Sequence, residues 1–327
     1  MKTKISIDLH LHFDGSLSIE NVKQLAKIEN VSLPSDEILR EMLTVDPDCK
    51  DLGQYLTKFS FPLSLLQTKA TIEQGMKTLC DELVSEGCIY AEIRFAPQLH
   101  LEKGLTQSEV VRSAIKGFAS SSLQGGLILC CMRGDNNEEL NFETVEVAQV
   151  YLGKGVLALD LAGNEAAYAT EDFGKLFDFA KDNNIPFTIH AGEADSAKSV
   201  LCAIEMGASR IGHGVRSYES EETMDLLQKS GIPLELCPTS NLQTAIFKSL
   251  DEYPIKKFIE MGICVTVNSD NRSVSGTTSK KELALVCEYF GFGVNEEKAM
   301  LENSARAAFS DASVKQKLLD RIEECYR

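Results

Sequence analysis

A (β/α)8 barrel, one domain spanning residues 1–327, is the fold this sequence predicts, and three regularities predict it. Eight apolar, β-rich runs recur along the chain, the stretches between them have the amphipathic look of crossover helices, and each run turns polar towards its C-terminal end. Near-continuous hydrophobicity suits strands buried on both sides, and the eight-fold alternation favours a closed barrel over an open doubly wound sheet. In a barrel the C-terminal strand ends share one face, where the active site is built. The length permits two domains, yet no Pro/Gly/Ser-rich linker divides the chain.

The first strand, Ile5 to His12, carries the most informative motif, Ile7-Asp8-Leu9-His10-Leu11-His12-Phe13-Asp14-Gly15. Side chains alternate along a strand, so His10 and His12 point the same way and can grip one ion together. The next run begins too late for a simple crossover, so Ser18 to Glu86 should hold extra helices. Within that insert, Phe59-Ser60-Phe61-Pro62-Leu63 is suited either to cap the barrel mouth or to ordinary helix packing. The second strand, Ile89 to Pro97, carries Arg94; a helix is expected over Thr106 to Ser122; the third strand, Gly126 to Arg133, ends on Arg133. The fourth, Val156 to Gly163, carries Asp160, and the fifth, Pro186 to Glu193, ends in His190-Ala191-Gly192-Glu193. His213 lies in the sixth, Arg210 to Val215, and Glu221 to Lys229 reads as another crossover helix. The seventh, Pro233 to Asn241, ends in Thr239 to Asn241, and the eighth, Cys264 to Asp270, ends on an aspartate.

Composition narrows the functional classes. A net charge of −16 repels phosphate backbones and anionic lipid, which leaves a small molecule as the expected partner, with no nucleic acid and no membrane. No apolar run is long enough for a bilayer span or a signal sequence, so a soluble, cytoplasmic protein is expected. Ten scattered cysteines without a CxxC pair read as buried small hydrophobes in a reducing compartment. Nothing in the sequence fixes the oligomeric state.

Four of the five histidines fall in three short motifs, which points to one metal-centred site. His10, His12, His190 and Asp270 would supply three nitrogens and one oxygen with room for a water, an open catalytic type of zinc site with one Zn2+ per chain. Glu193 follows His190 by three residues; a partly desolvated carboxyl there can act as general acid, or it can simply favour a helix N-terminus, for which Asp195 would serve as well. His213, between two glycines, is either a second-sphere base and electrostatic partner of the site or a satisfied core histidine. The fifth histidine, His100, reads as an ordinary loop residue.

Taken together, these motifs resemble the adenosine deaminase family of the amidohydrolase superfamily. The resemblance is carried by His10 to Gly15, Cys130-Cys131-Met132-Arg133, Asp160-Leu161-Ala162-Gly163, His190 to Glu193, Gly212-His213-Gly214 and Asn268-Ser269-Asp270, in family order and spacing. It implies hydrolytic deamination of adenosine, and of 2′-deoxyadenosine, to inosine and ammonia. It implies zinc on His10, His12, His190 and Asp270, proton donation from Glu193 to purine N1, and positioning of the attacking water by His213. On the substrate side it implies His12 at the ligand, Asp14 accepting from the ribose 5′-hydroxyl, the Gly163 N–H on purine N3, and residue 271 on N7. Asp14 favours a nucleoside, because adenine-directed relatives tend to have Glu in that slot. Two positions depart from the pattern: Asn271 stands where many members have Asp, and Asn164 replaces another common Asp. An Asn amide can donate to N7 at any ordinary pH, so that contact can survive. The alternatives are a deaminase of another aminopurine (adenine, a 5′-modified adenosine or an aminofutalosine-like nucleoside) and a barrel that binds nucleoside without chemistry. A binuclear amidohydrolase is disfavoured because Asp160-Leu161-Ala162-Gly163 offers no lysine for a bridging carbamate. The cytidine-deaminase fold is disfavoured because His100-Leu101-Glu102 lacks a Pro-Cys-x-x-Cys partner.

Overall fold

A computed structural model describes residues 5–327. Eight strands run parallel: β1 (Ser6–His12), β2 (Cys88–Phe95), β3 (Gly125–Met132), β4 (Val156–Ala162), β5 (Thr188–Ala191), β6 (Arg210–His213), β7 (Leu234–Leu236) and β8 (Val265–Val267). They form two four-stranded sheets in sequential order, β1 to β4 and β5 to β8. Isolated bridges stitch both seams. Leu159 pairs with Phe187 just before β5, and Leu11 pairs with Asp270 just after β8. At the second seam the His12 N–H donates to the Asp270 carbonyl (2.7 Å) and the Asp270 N–H to the His10 carbonyl (2.8 Å). The strands therefore follow the cyclic order of the expected barrel, with β1 beside β8.

The β-branched and leucine-rich runs are strands because both faces find cover, and β1 is buried over six of its seven residues. The later strands are shorter than the apolar runs suggested. Thr239 to Asn241, expected at a strand end, lie instead in a helix over Pro238–Gln243, because Pro238 has no N–H to give a sheet ladder and its fixed φ starts a helix. Glu193 and Asp270 likewise stand beyond their strands, and Asp270 adopts φ 58°.

The long insert holds the helices Ile19–Glu29, Asp36–Leu43, Leu52–Leu56, Ser60–Leu65 and Lys69–Ser85. Local chemistry starts four of them: the side chains of Ser18, Ser35, Asp51 and Thr68 each accept a backbone N–H three residues on. Crossover helices appear at Gln107–Ala119, where Thr106 and Glu109 form a reciprocal cap, and at Glu221–Ser230, which Gly231 ends in the left-handed conformation. Most of the insert packs into the main core, but Leu52 and Tyr55 form a separate small cluster with Val45 and Val274 over the C-terminal face. No disulfide joins cysteines among the described residues, and six of the ten are buried. No described helix is long and apolar enough to cross a membrane.

Candidate active site and metal centre

At the C-terminal face a cavity of about 210 Å³ opens between the strand ends and the inserted helices. His12, His190, His213, Glu193, Asp270 and Asn271 form its polar end, and Leu52, Tyr55, Leu56, Phe59, Leu63, Phe95 and Leu99 form much of its apolar wall. No lysine or arginine among the described residues lines it.

Strand alternation places the metal-type donors as expected. The Nε2 atoms of His12 and His190 are 3.2 Å apart, and Asp270 Oδ1 lies 3.5 Å from His10 Nε2 and 3.4 Å from His12 Nε2. His10, His12 and His190 each offer a ligand atom within 4.8 Å of the others. A second grouping of His10, His213, Cys237 and Asp270 meets the same distance. In it burial raises the Cys237 thiol, and Asn241 holds one nitrogen of His213. Gly15 explains why the motif ends in glycine: a Cβ there would come within 1.9 Å of the Asn271 Oδ1.

Beneath the histidines lies a layer of buried charge. His10 Nδ1 is 2.8 Å from Glu235 Oε2, and His190 Nδ1 is 2.9 Å from Asp160 Oδ2, so each outer nitrogen is fixed by a carboxylate and each Nε2 is aimed at the centre. Arg94 ties these carboxylates together, donating to Asp160 (2.9 Å), to Glu235 (2.8 Å) and to the Leu9 carbonyl (2.6 Å). Arg210 donates to the other Glu235 oxygen (2.5 Å) and to Glu92 (2.6 Å), with its guanidinium 3.9 Å from the centre of the Phe309 ring. Burial alone would raise the Glu235 carboxyl, but the two guanidiniums and His10 hold it well below the usual range. The sequence reading noted Arg94 and Asp160 as polar strand positions and missed Glu235, Arg210 and Glu92. Their signal was a charged residue inside an otherwise apolar run, as in Leu234-Glu235-Leu236.

The remaining groups stand on one wall. Glu193 is buried, its Oε2 lies 3.6 Å from His213 Nε2, and burial followed by the charges of Asp270 and Glu165 raises its carboxyl well above the ordinary value. His213 has φ 57°. Its Nδ1 is 3.1 Å from the Asn241 Nδ2, and the Tyr253 hydroxyl donates to the Asn241 Oδ1 (3.2 Å). An amide held that way donates to Nδ1, which leaves the hydrogen of the neutral imidazole on Nε2. Burial, then the charge of His10, holds the His213 pKa well below its ordinary value, so the ring stays neutral. Burial also lifts Asp14 to about 6. Buried atoms without a hydrogen-bond partner include His10 Nε2, Glu193 Oε1, Asp14 Oδ1 and Asn271 Oδ1. Orphaned groups of this kind each cost about 1–3 kcal/mol, which a ligand or ion would recover. His100, expected in an ordinary loop, does follow the turn Pro97–Leu99 but is fully buried, with Nδ1 2.8 Å from the Leu66 carbonyl.

Residues 6–325 match the family model described as "Adenosine deaminase". An adenosine deaminase of Haemophilus ducreyi is 45% identical over 98% of this chain and 96% of its own length. Among solved structures, the adenine deaminase of Arthrobacter aurescens superposes with a TM-score of 0.89 at 25% identity, covering 99% of each chain. A Burkholderia ambifaria amidohydrolase solved with bound Zn gives 0.86 at 17% identity over 98% of this chain and 92% of that one. With the fold, the motif order and a relative of nearly equal length in agreement, the chain belongs to the adenosine deaminase family of amidohydrolases.

Proposed function

We propose that the chain hydrolyses adenosine and 2′-deoxyadenosine to inosine and ammonia, as a single-domain cytoplasmic enzyme using one zinc ion. The observation that carries the reading is the convergence of His10, His12 and His190 Nε2 with Asp270 Oδ1 at the polar end of an apolar cavity. The donor set fits a divalent cation: two imidazole nitrogens face each other at 3.2 Å, a carboxylate oxygen stands beside them, and the buried His10 Nε2 makes no hydrogen bond. His10, His12, His190 and Asp270 would hold it. When bound, zinc supplies Lewis acidity and brings the pKa of a coordinated water towards neutrality.

The chain's own groups then divide the work. Glu193, favoured in its protonated form by burial, gives its proton to purine N1 as water adds to C6. The Nε2–H of His213 donates to the attacking oxygen, so His213 orients and stabilises the attack and is not the base that starts it. The proton that the water gives up passes to the Asp270 carboxylate and on to the departing amino group, and the hydroxyl proton of the tetrahedral adduct returns to Glu193, so collapse releases ammonia, leaves the 6-oxo purine and restores the acid. Asp14 accepts from the 5′-hydroxyl, the Gly163 N–H meets N3, the Asn271 amide meets N7, and His12 lines the ligand beside the cation. An apolar wall without lysine or arginine, together with the Asp14 carboxylate, disfavours a 5′-phosphate.

The test is ammonia and inosine formation by zinc-replete protein, with adenosine, 2′-deoxyadenosine, adenine and AMP compared by kcat/KM. Glu193→Gln is expected to keep the metal and to lose turnover by roughly three orders of magnitude. Near-normal turnover by that variant would remove Glu193 from the mechanism. Preference for adenine or AMP would overturn the nucleoside assignment.

A further inference from the structure

Glu165 stands two residues past Gly163, in the loop after β4, and is 2% exposed. Its carboxylate accepts five hydrogen bonds, four of them from consecutive backbone amides. Oε1 takes the N–H of Gly192 (2.6 Å) and the hydroxyl of Ser199 (2.5 Å). Oε2 takes the N–H groups of Glu193 (2.9 Å), Ala194 (2.7 Å) and Asp195 (3.1 Å). Successive amides that point inwards form an anion-binding concavity, and here the protein's own carboxylate fills it. The clamped segment lies between the end of β5 and the helix Ala197–Glu205, so no sheet ladder or helix fixes these amides, and Gly192 turns there with φ 65°.

We propose that Glu165 is a positioning residue for the proton donor: by holding four amides of the loop that carries Glu193, it fixes where the Glu193 carboxyl stands against the purine. The inference rests on the reading of Glu193 as the acid. It also explains how two loops from different strands stay in register. Gly163 and Glu165 share one loop, Glu193 lies on the other, and N3 and N1 belong to the same six-membered ring, so tying the loops aligns both contacts. Glu165 adds to burial and Asp270 in raising the Glu193 carboxyl, while Arg133 acts in the opposite sense and His213 Nε2 faces it at 3.6 Å.

Neither close substitute can do both tasks. Glu165→Gln has the right length, but its NH2 must face amide donors on whichever side it turns. Glu165→Asp keeps the charge and falls short by one carbon–carbon bond, about 1.5 Å. In zinc-replete protein we expect each to lower kcat about 100-fold, with KM within about threefold and zinc content unchanged. Glu193 must be protonated to act, so activity falls as pH rises through its pKa. That alkaline limb should move down by about half a pH unit or more in Glu165→Gln, which lacks the charge, and should stay in place in Glu165→Asp. A merely structural defect would not split the two variants in this way. Wild-type kcat with an unmoved limb in Glu165→Gln, or a fall in kcat that tracks lost zinc, overturns the proposal. Should neither variant fold, Ser199→Ala carries the test, since it removes one bond to Oε1; kcat should drop about threefold, and wild-type kcat there is the overturning result. Glu193→Gln is run alongside: if it is inactive while Glu165→Gln is normal, only the positioning role falls, whereas turnover in Glu193→Gln removes the donor reading and this proposal with it.

Discussion

Below the clustered histidines the barrel is filled with charge; above them the cavity is walled by leucine, phenylalanine and tyrosine from the insert. In the lower layer Arg94, Arg210, Glu92, Asp160 and Glu235 are almost wholly removed from water, and every carboxylate among them meets a guanidinium. In the upper layer Leu56, Phe59 and Leu63 are only partly buried, and the first two hang on a small cluster apart from the main core. The lower layer cannot change one partner without stranding another charge, whereas the upper layer can exchange one apolar side chain for another at small cost. The contrast teaches that the support of the clustered histidines and the shape of the cavity are set by separate layers, one rigid through charge pairing and one adjustable through packing.

The comparison breaks most sharply at Asp160. Asp160→Asn weakens the hold on His190 and leaves one arm of Arg94 without its counter-charge. The expected outcome is a loss of about 3 kcal/mol in denaturant unfolding and a 10- to 100-fold weaker hold on zinc in chelator competition. Near-wild-type values for both would show that the charged layer is dispensable.

A second test concerns the junction of the layers, where His100 ties the turn after β2 to Leu66 of the insert. Burial lowers its pKa to about 4, against an ordinary value of 6.5. With the folded-state value depressed, the unfolded chain takes up the proton first as pH falls. The stability that His100 contributes is therefore intact above about 6.5 and is lost as pH drops towards 4, by about 3 kcal/mol in total. His100→Gln retains an N–H donor without the titration. Unfolding midpoints should favour the wild type at pH 7, and the gap should close or invert near pH 4; a gap independent of pH would mean that the buried ring does not titrate as placed.

The mildest expected change is in the upper wall. Phe59→Ala should raise KM for adenosine roughly fivefold, leave kcat within about twofold and cost under about 1 kcal/mol of stability, since the ring is only partly buried. A collapse of kcat with KM unchanged would make this wall part of the chemistry and erase the distinction between the layers.

What could be read from the sequence follows the same division. The convergence of His10, His12, His190 and Asp270 was legible because period-two alternation puts His10 and His12 on one face, and the motif order supplied the rest. The lower layer was not, because Arg94 and Glu235 lie 141 residues apart and Glu92 and Arg210 lie 118 apart, and only closure of the ring brings them together. Asn241 was expected at a strand end and proved to be a helical residue on His213, since Pro238 begins a helix. Glu165 was hidden for another reason: its partners are backbone amides, which carry no side-chain signature. The insert was legible as extra helices from its length and caps, but which of them would line the cavity depended on packing that no local pattern reports.

Asp270 does two jobs at one residue. Its backbone stitches the last strand region to β1 through His10 and His12, and its side chain completes the set of donors that begins with those same two histidines. During synthesis the first donors emerge at residue 10 and the last only after some 260 more residues have been made. Ring closure and the convergence of these side chains are thus one late event of high contact order. A nascent or truncated chain ending before residue 270 lacks both, so premature termination yields a product that cannot complete the quartet, not a slow enzyme.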